Sequence, residues 1–456
     1  MFKVQKRLEL TTESKPLIIS DNLKNIWVKS LDEALKGEIK ALEKDTYSCI
    51  RTLGLLEMDC VYVVSSRALK DPKKAEEALA FIKDLAQAPL IVSESFDEED
   101  IALLFEMVVR IQYTFNTFKK DSVNPIDIHY VDHFERKKSI AKGIALGEAV
   151  NFTRDLINTP YNHLNAEKLA AIANNLAKDE NTSLRIYDKK ECEKMGMGAF
   201  LGVNGGSKDD PQFIHLKYQT KDAIKDHVAL VGKGVMYDTG GYSLKTPTSM
   251  PSMKMDMGGA ATVLGTLKAL QAVRSKANVS VIIAATDNRI GDDAIVPDDI
   301  LKSAEGTTIE VISTDAEGRL TLADALWYAQ KEGATKIIDV ATLTGNVIGA
   351  LGDEVTGVFT NDTKFLKAFE DSAKKSKELV WHLPIMDPHR DQLKSYSADM
   401  KNKGSRMGGA SIAGAFLEHF VDKKVPWLHL DIAGTAYNEK TGATGTMVRT
   451  LVNMFD

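Results

Sequence analysis

Short runs of β-branched and aliphatic residues punctuate this chain at strand length, and stretches with apolar residues at helical spacing lie between them. In the first third, Val61-Tyr62-Val63-Val64 and Leu90-Ile91-Val92 predict strands, separated by a helical composition over residues 73–88. Residues 97–119 predict another helix, because Ile101, Leu104, Phe105, Val108 and Ile111 recur near its period. A long helical pattern over 137–157 ends at Asn158-Thr159-Pro160, as expected where proline disfavours the α conformation of its predecessor. Asn165 reads as the N-cap of the next helix, and Leu169, Ile172, Ala173 and Leu176 follow on one face.

Beyond that point strands and helices alternate. Strand-like runs lie at 213–216, 228–231, 279–285, 308–312, 337–340, 355–359 and 427–432, with helical patterns at 258–274, 324–331, 364–375 and 411–421. Continuous apolar strands between helices imply a sheet covered on both faces. The predicted architecture is α/β: a small N-terminal α/β domain over 1–135, a connecting helix over 136–163, and a larger domain over 164–456. That larger domain should hold a mixed, largely parallel sheet with helices on both faces.

Polar residues crowd two places where strands should end, which is where open α/β sheets bind ligands. One segment runs from Gly232-Lys233-Gly234 through Asp238-Thr239-Gly240-Gly241 and Lys245 to Met253, Asp256 and Met257-Gly258-Gly259. The other is Ser313-Thr314-Asp315-Ala316-Glu317-Gly318-Arg319-Leu320. If the second continues extended from its strand, Asp315, Glu317 and Arg319 share one face. Carboxylates so close repel unless a cation lies between them. Asp238 and Asp256 bring the total to about −4, which two divalent ions would neutralise. Oxygen-rich ligation without histidine suits magnesium, manganese or calcium, and zinc also accepts carboxylate oxygen. Neither Gly232-Lys233-Gly234 nor the glycine-rich stretch at 202–208 completes a phosphate-binding loop, which argues against a nucleotide site. On residues alone the chain reads as a two-metal hydrolase.

Composition narrows the setting. With 456 residues, 44 % of them apolar and 27 % charged, the chain can bury a large core, which excludes general disorder. A net charge of −6 supplies no global attraction for nucleic acid or anionic lipid. Cys49, Cys60 and Cys192 form no CxxC and read as reduced structural thiols. The N-terminal residues lack the apolar core of a secretory signal, and no run approaches the roughly 18 apolar residues of a membrane span. A cytoplasmic protein with no membrane or nucleic-acid partner is expected.

The same two segments, above all Thr314-Asp315-Ala316-Glu317-Gly318-Arg319-Leu320, resemble the leucine (cytosol) aminopeptidase family. Arg154-Asp155-Leu156-Ile157-Asn158-Thr159-Pro160, Ala341-Thr342-Leu343-Thr344-Gly345, Leu430-Asp431-Ile432-Ala433-Gly434 and Gly442-Ala443-Thr444-Gly445 extend the likeness over the second part of the chain. Trp381-His382-Leu383-Pro384, followed by His389-Arg390-Asp391-Gln392-Leu393, is similar to the bacterial peptidase B branch.

The resemblance implies a small N-terminal domain, a C-terminal catalytic metallopeptidase domain, and a homohexamer with active sites facing an interior cavity. It implies removal of N-terminal amino acids from peptides with a free N-terminus, by water activated at two divalent ions (Zn2+ and/or Mn2+). One ion would be held by Lys233 as a neutral amine with Asp238, Asp256 and Glu317, the other by Asp238, Asp315 and Glu317. Lys245 would stabilise the developing oxyanion, and Arg319 would hold a bicarbonate that carries the proton to the leaving amine. Backbone groups of Leu343 and Gly345 would align the peptide. Met253, Thr342, Gly345, Ala433 and Ala436 would line the pocket for its first side chain. A phosphoesterase would use similar carboxylates but gives no reason for Lys233 and Arg319. Three departures stand out: Ser313 where the family usually has asparagine, Pro297-Asp298-Asp299 for Pro-Gly-Asp, and a small Ala436 that leaves preference for leucine open.

Overall fold

The computed structural model describes residues 4–7, 16–21, 24, 26–41, 47–51, 60–85, 87–120, 125–132 and 136–455. Residues 1–3, the start of the N-terminal segment discussed above, lie outside them. The chain divides into two units, Met1–Asn151 and Phe152–Asp456, and the helix Lys137–Asn158 runs across the division.

In the first unit, strands order as Val4–Arg7, Ile128–Val131, Leu90–Val92, Leu17–Ser20, Cys60–Val64 and Tyr47–Arg51. All pairs are parallel except the last. Period-two alternation sends Leu17, Ile19, Val61 and Val63 into one core, while Ile18, Val64 and Ile91 pack with Leu104, Phe105 and Val108 in another. The helix expected over 73–88 is Pro72–Leu79 followed by a 3-10 turn, Ala80–Asp84, and the next helix is Glu98–Ile111.

The second unit holds an eight-stranded sheet. Its order is Val380–His382, Thr356–Thr360, Trp427–Asp431, Lys336–Ala341, Val228–Asp238, Asn278–Asn288, Gln212–Gln219 and Thr182–Tyr187. The middle four strands are mutually parallel, and antiparallel pairs join them to the flanks. The fold is α/β, with a mixed sheet that is parallel where it is most buried. Helix Gly318–Lys331 packs with Ala229, Val231 and Ile282 on one face. Helix Gly258–Ala272 covers the opposite face: a Cβ on Gly232 would meet Ala260 Cα at 2.7 Å, and one on Gly259 would meet Val340 O at 1.9 Å. Among the described residues no helix is long and apolar enough to cross a membrane.

A polar seam crosses this core. Ser280 Oγ lies 2.9 Å from His215 Nε2 and 2.8 Å from His227 Nε2, and His215 Nδ1 lies 3.1 Å from Tyr328 Oη. Burial lowers the His215 pKa to about 4. Unfolded, the ring takes up a proton near its ordinary value; folded, it resists until about pH 4. Stability present at neutral pH is therefore lost as the pH falls between those values, by about 3 kcal/mol from this group. Urea midpoints measured at ~pH 7 and ~pH 4.5 should drop further for the wild type than for His215→Gln. Equal drops would remove His215 from the account.

Candidate active site

Lys233 lies within the strand Val228–Asp238 and Asp238 ends it, between two parallel neighbours. Asn288, paired in register with Asp238, donates from Nδ2 to Asp238 Oδ1 at 2.8 Å and to Thr314 O at 3.0 Å. One side chain thus ties the strand end to the turn that carries Asp315. The chain then doubles back through Gly240 and Gly241, at φ +84° and +60°, a region that favours glycine. Gly240 N donates to Asp238 Oδ1 at 2.8 Å.

Asp256 comes from the 3-10 turn Met253–Met257 that opens into helix Gly258–Ala272. The tight approach of Gly259 to the strand backbone draws this turn down onto Lys233. Lys233 Nζ donates to Asp256 Oδ1 at 2.7 Å and to Thr342 O at 3.1 Å, and lies 3.0 Å from Glu317 Oε1. Thr342 Oγ1 also donates to Asp256 Oδ1, at 2.8 Å.

The second segment departs from the extended form expected of it. The strand stops at Glu310, Thr314 and Asp315 form a turn, and Glu317 has helical angles (φ −78°, ψ −36°) as the residue before helix Gly318–Lys331. Asp315, Glu317 and Arg319 therefore share no strand face; they converge through a turn and a helix start. Side chains impose the turn. Thr314 Oγ1 donates to Gly240 O at 2.5 Å. Asn402 Oδ1 accepts from Ile312 N and Ser313 N at 2.8 and 3.3 Å, and its Nδ2 donates to Ser313 O at 2.7 Å. With Asn402 holding the backbone of Ser313, the turn is anchored independently of the Ser313 side chain.

Asp238, Asp315 and Glu317 each offer a ligand atom within 4.8 Å of the other two. Lys245 Nζ bridges Asp238 Oδ2 at 2.8 Å and Asp315 Oδ1 at 2.6 Å. Two ammonium groups thus offset only part of the charge of the four carboxylates. Burial works against the Lys233 ammonium, but Asp256, Glu317 and Asp238 outweigh it and hold its pKa above the lysine range. Burial and the Glu317 charge push Asp238 up to about 6, with Lys245 and Lys233 pulling it back. Burial also raises Asp256. Glu317 ends below its usual range, because Lys233 and Lys245 outweigh its burial.

Two polar atoms here lack partners: Asp256 Oδ2 and Arg319 Nε are buried without a hydrogen bond. An orphaned carboxylate oxygen beside an acidic trio suits a divalent cation as its partner, because a buried acceptor left unpaired is otherwise costly. Arg319 donates from Nη1 to Asn402 O at 2.8 Å, while its Nε proton meets no acceptor.

These groups face a cavity of about 690 Å3, lined by Lys233, Asp238, Lys245, Asp256, Asp315, Glu317 and Arg319. Met253, Thr342, Leu343, Gly345 and Ala433 line it too. Ala436 does not; it is fully buried, behind the wall and against Gly258. A second cleft of about 850 Å3 carries charges that answer each other, with Arg390 paired to Glu418 at 2.7 Å and to Asp387 at 2.8 Å. Asn288 and Asn402 are not among the residues that the sequence pattern singles out. Asn288 follows Thr286 and Asp287 at the polar end of an apolar strand, the signal that marked Asp238; Asn402 lies in a polar loop with no comparable mark.

Residues 151–452 match the cytosol aminopeptidase family, catalytic domain. The chain belongs to the cytosol aminopeptidase family. It is 41 % identical over 407 residues to a probable cytosol aminopeptidase of Bacillus subtilis (strain 168), covering 84 % of this chain and 81 % of that protein. A solved structure of a tomato leucine aminopeptidase mutant superposes with a TM-score of 0.87 at 32 % identity, covering all of this chain and 96 % of that one. The protein is thus an aminopeptidase of the leucyl type, a hydrolase from a metallopeptidase family.

Proposed function

We propose that this aminopeptidase works with two divalent ions, Zn2+ and/or Mn2+, held by Lys233, Asp238, Asp256 and Glu317 and by Asp238, Asp315 and Glu317. The observation that carries this reading is the buried, unpartnered Asp256 Oδ2 near three carboxylates whose oxygens lie within 4.8 Å of one another. Bound there, the ions would supply Lewis acidity for a water and for the scissile carbonyl.

The side chains do the rest. Lys233 must give up its proton to act as a ligand, and the carboxylates that hold that proton lose their grip once cations neutralise them. Lys245, on the cavity wall, places a positive charge where oxyanion character develops. Arg319 would hold bicarbonate through its planar guanidinium, and the bound anion would supply a base for the proton that goes from water to the leaving amine. Burial lowers the Arg319 pKa to about 10, which leaves it cationic at neutral pH. Backbone groups of Leu343 and Gly345 align the peptide. Met253, Thr342 and Ala433 receive the first side chain, with Ala436 setting depth from behind. The substrates are peptides with a free N-terminus, and the protein works in the cytoplasm as a homohexamer.

An aminoacyl-anilide or dipeptide should be hydrolysed, the rate should vanish on chelation, and manganese or zinc should restore it. An N-acetylated peptide should not react. Turnover that survives exhaustive chelation would overturn the two-ion reading.

A further inference from the structure

Asp431 ends the strand Trp427–Asp431 and is 1 % exposed. Its Oδ1 accepts from Leu343 N at 3.1 Å, Thr344 N at 3.4 Å and Ala433 N at 3.2 Å, and its Oδ2 accepts from Thr344 Oγ1 at 2.7 Å. The Thr344 hydroxyl in turn accepts from Val347 N at 3.1 Å, capping helix Gly345–Leu351. Every group that donates to Asp431 belongs to a residue lining the cavity, and the donors come from two separate segments of chain.

We infer that Asp431 is a positioning residue: one buried carboxylate fixes the loop 342–345 and Ala433 relative to each other. The inference rests on the proposal that these residues receive the peptide. Three amides and a hydroxyl share one acceptor, so neither segment can shift outward without stranding a buried donor. The clamp also sets the Thr344 hydroxyl, and through it the start of the helix that begins at Gly345. Asparagine has the shape to replace Asp431. Its Oδ1 can accept the three amides, and its Nδ2 can donate to the Thr344 hydroxyl, which has acceptor capacity to spare. Alanine can do neither.

The test compares metal-loaded wild type, Asp431→Ala and Asp431→Asn. It measures KM and kcat on a dipeptide, metal content, and hydrogen exchange at the amides of Leu343, Thr344 and Ala433. For Asp431→Ala we expect unchanged metal content, faster exchange at all three amides, and kcat/KM lowered on the order of 100-fold with KM raised, since sub-ångström misplacement of a substrate is costly. Asp431→Asn should recover most of both readouts. Should Asp431→Ala not fold, Thr344→Val removes one donor to Asp431 together with the cap on Val347 N, and should raise KM about threefold. KM and exchange in Asp431→Ala matching the wild type would overturn the inference. Faster exchange with no change in KM would also overturn it, by reducing the clamp to a stabilising role. A wild type without chelator-sensitive turnover would instead sink the proposed function, and the exchange measurement would still judge the clamp.

Discussion

Glu317→Ala is expected to lose metal from the site and nearly all turnover, while the fold survives. Glu317 is 1 % exposed, lies 3.0 Å from Lys233 Nζ, and supplies an oxygen within 4.8 Å of those of Asp238 and Asp315. It pairs with Lys233 and lies within reach of Asp238 and Asp315, and the proposal makes it, like Asp238, a ligand to both ions. Removing it forfeits several kcal/mol of charge stabilisation in the transition state, a rate loss on the order of a thousandfold or more. The fold should hold because helix Gly318–Lys331 stays packed through Leu320, Leu322, Ala323 and Leu326. Lys233 also keeps Asp256 at 2.7 Å as a partner, so no buried ammonium is stranded. Metal analysis, steady-state rates and a thermal melt check all three parts. A variant that retains both ions and the wild-type rate would show that Glu317 is wrongly assigned.

A single methyl group at Gly318 should do comparable damage. Helix propensity predicts the opposite, since alanine is favoured over glycine inside a helix by about 1 kcal/mol. Sterics decide against it: a Cβ at Gly318 would lie 2.2 Å from Lys233 Cε and 2.6 Å from its Nζ. No pair of atoms tolerates that approach, and the helix backbone is pinned by its packing, so the lysine has to leave. Its bonds to Asp256, Glu317 and Thr342 O go with it. We expect Gly318→Ala to bind metal more weakly and to lose at least about 100-fold in kcat/KM, as displaced ligands and misplaced groups typically cost. Unchanged metal affinity and rate in this variant would mean that Lys233 does not occupy the position described.

The two variants also show which features the sequence carried in legible form. Central strands such as Asn278–Asn288 stood out because burial on both faces demands an unbroken apolar run. The apolar pattern predicts the strand Val228–Asp238 only as far as Val231, because Gly232-Lys233-Gly234 has the composition of a loop although its lysine is buried among carboxylates. The helical pattern predicts helix Gly318–Lys331 only from Asp324, since its first turn begins on glycine and carries polar Arg319 into the cavity wall. The expected extended face at 315–319 failed for a related reason. A spacing of two residues defines a face only on a strand, and Asn402 and Thr314 bend this segment into a turn.

The kinds of donor in the site were written in short local strings: carboxylates, amines and a guanidinium crowded beside glycines at strand ends. Local strings suffice for that, because chemistry belongs to the residue and survives any arrangement. Distances do not. Lys233 meets Glu317 because a glycine-floored helix start passes over its side chain, Asp256 arrives because Gly259 lets a second helix touch the sheet, and Asp431 reaches Leu343 across two neighbouring parallel strands. Each of these contacts depends on strand register and helix approach. Those are set by packing among residues far apart along the chain, and no local pattern encodes them.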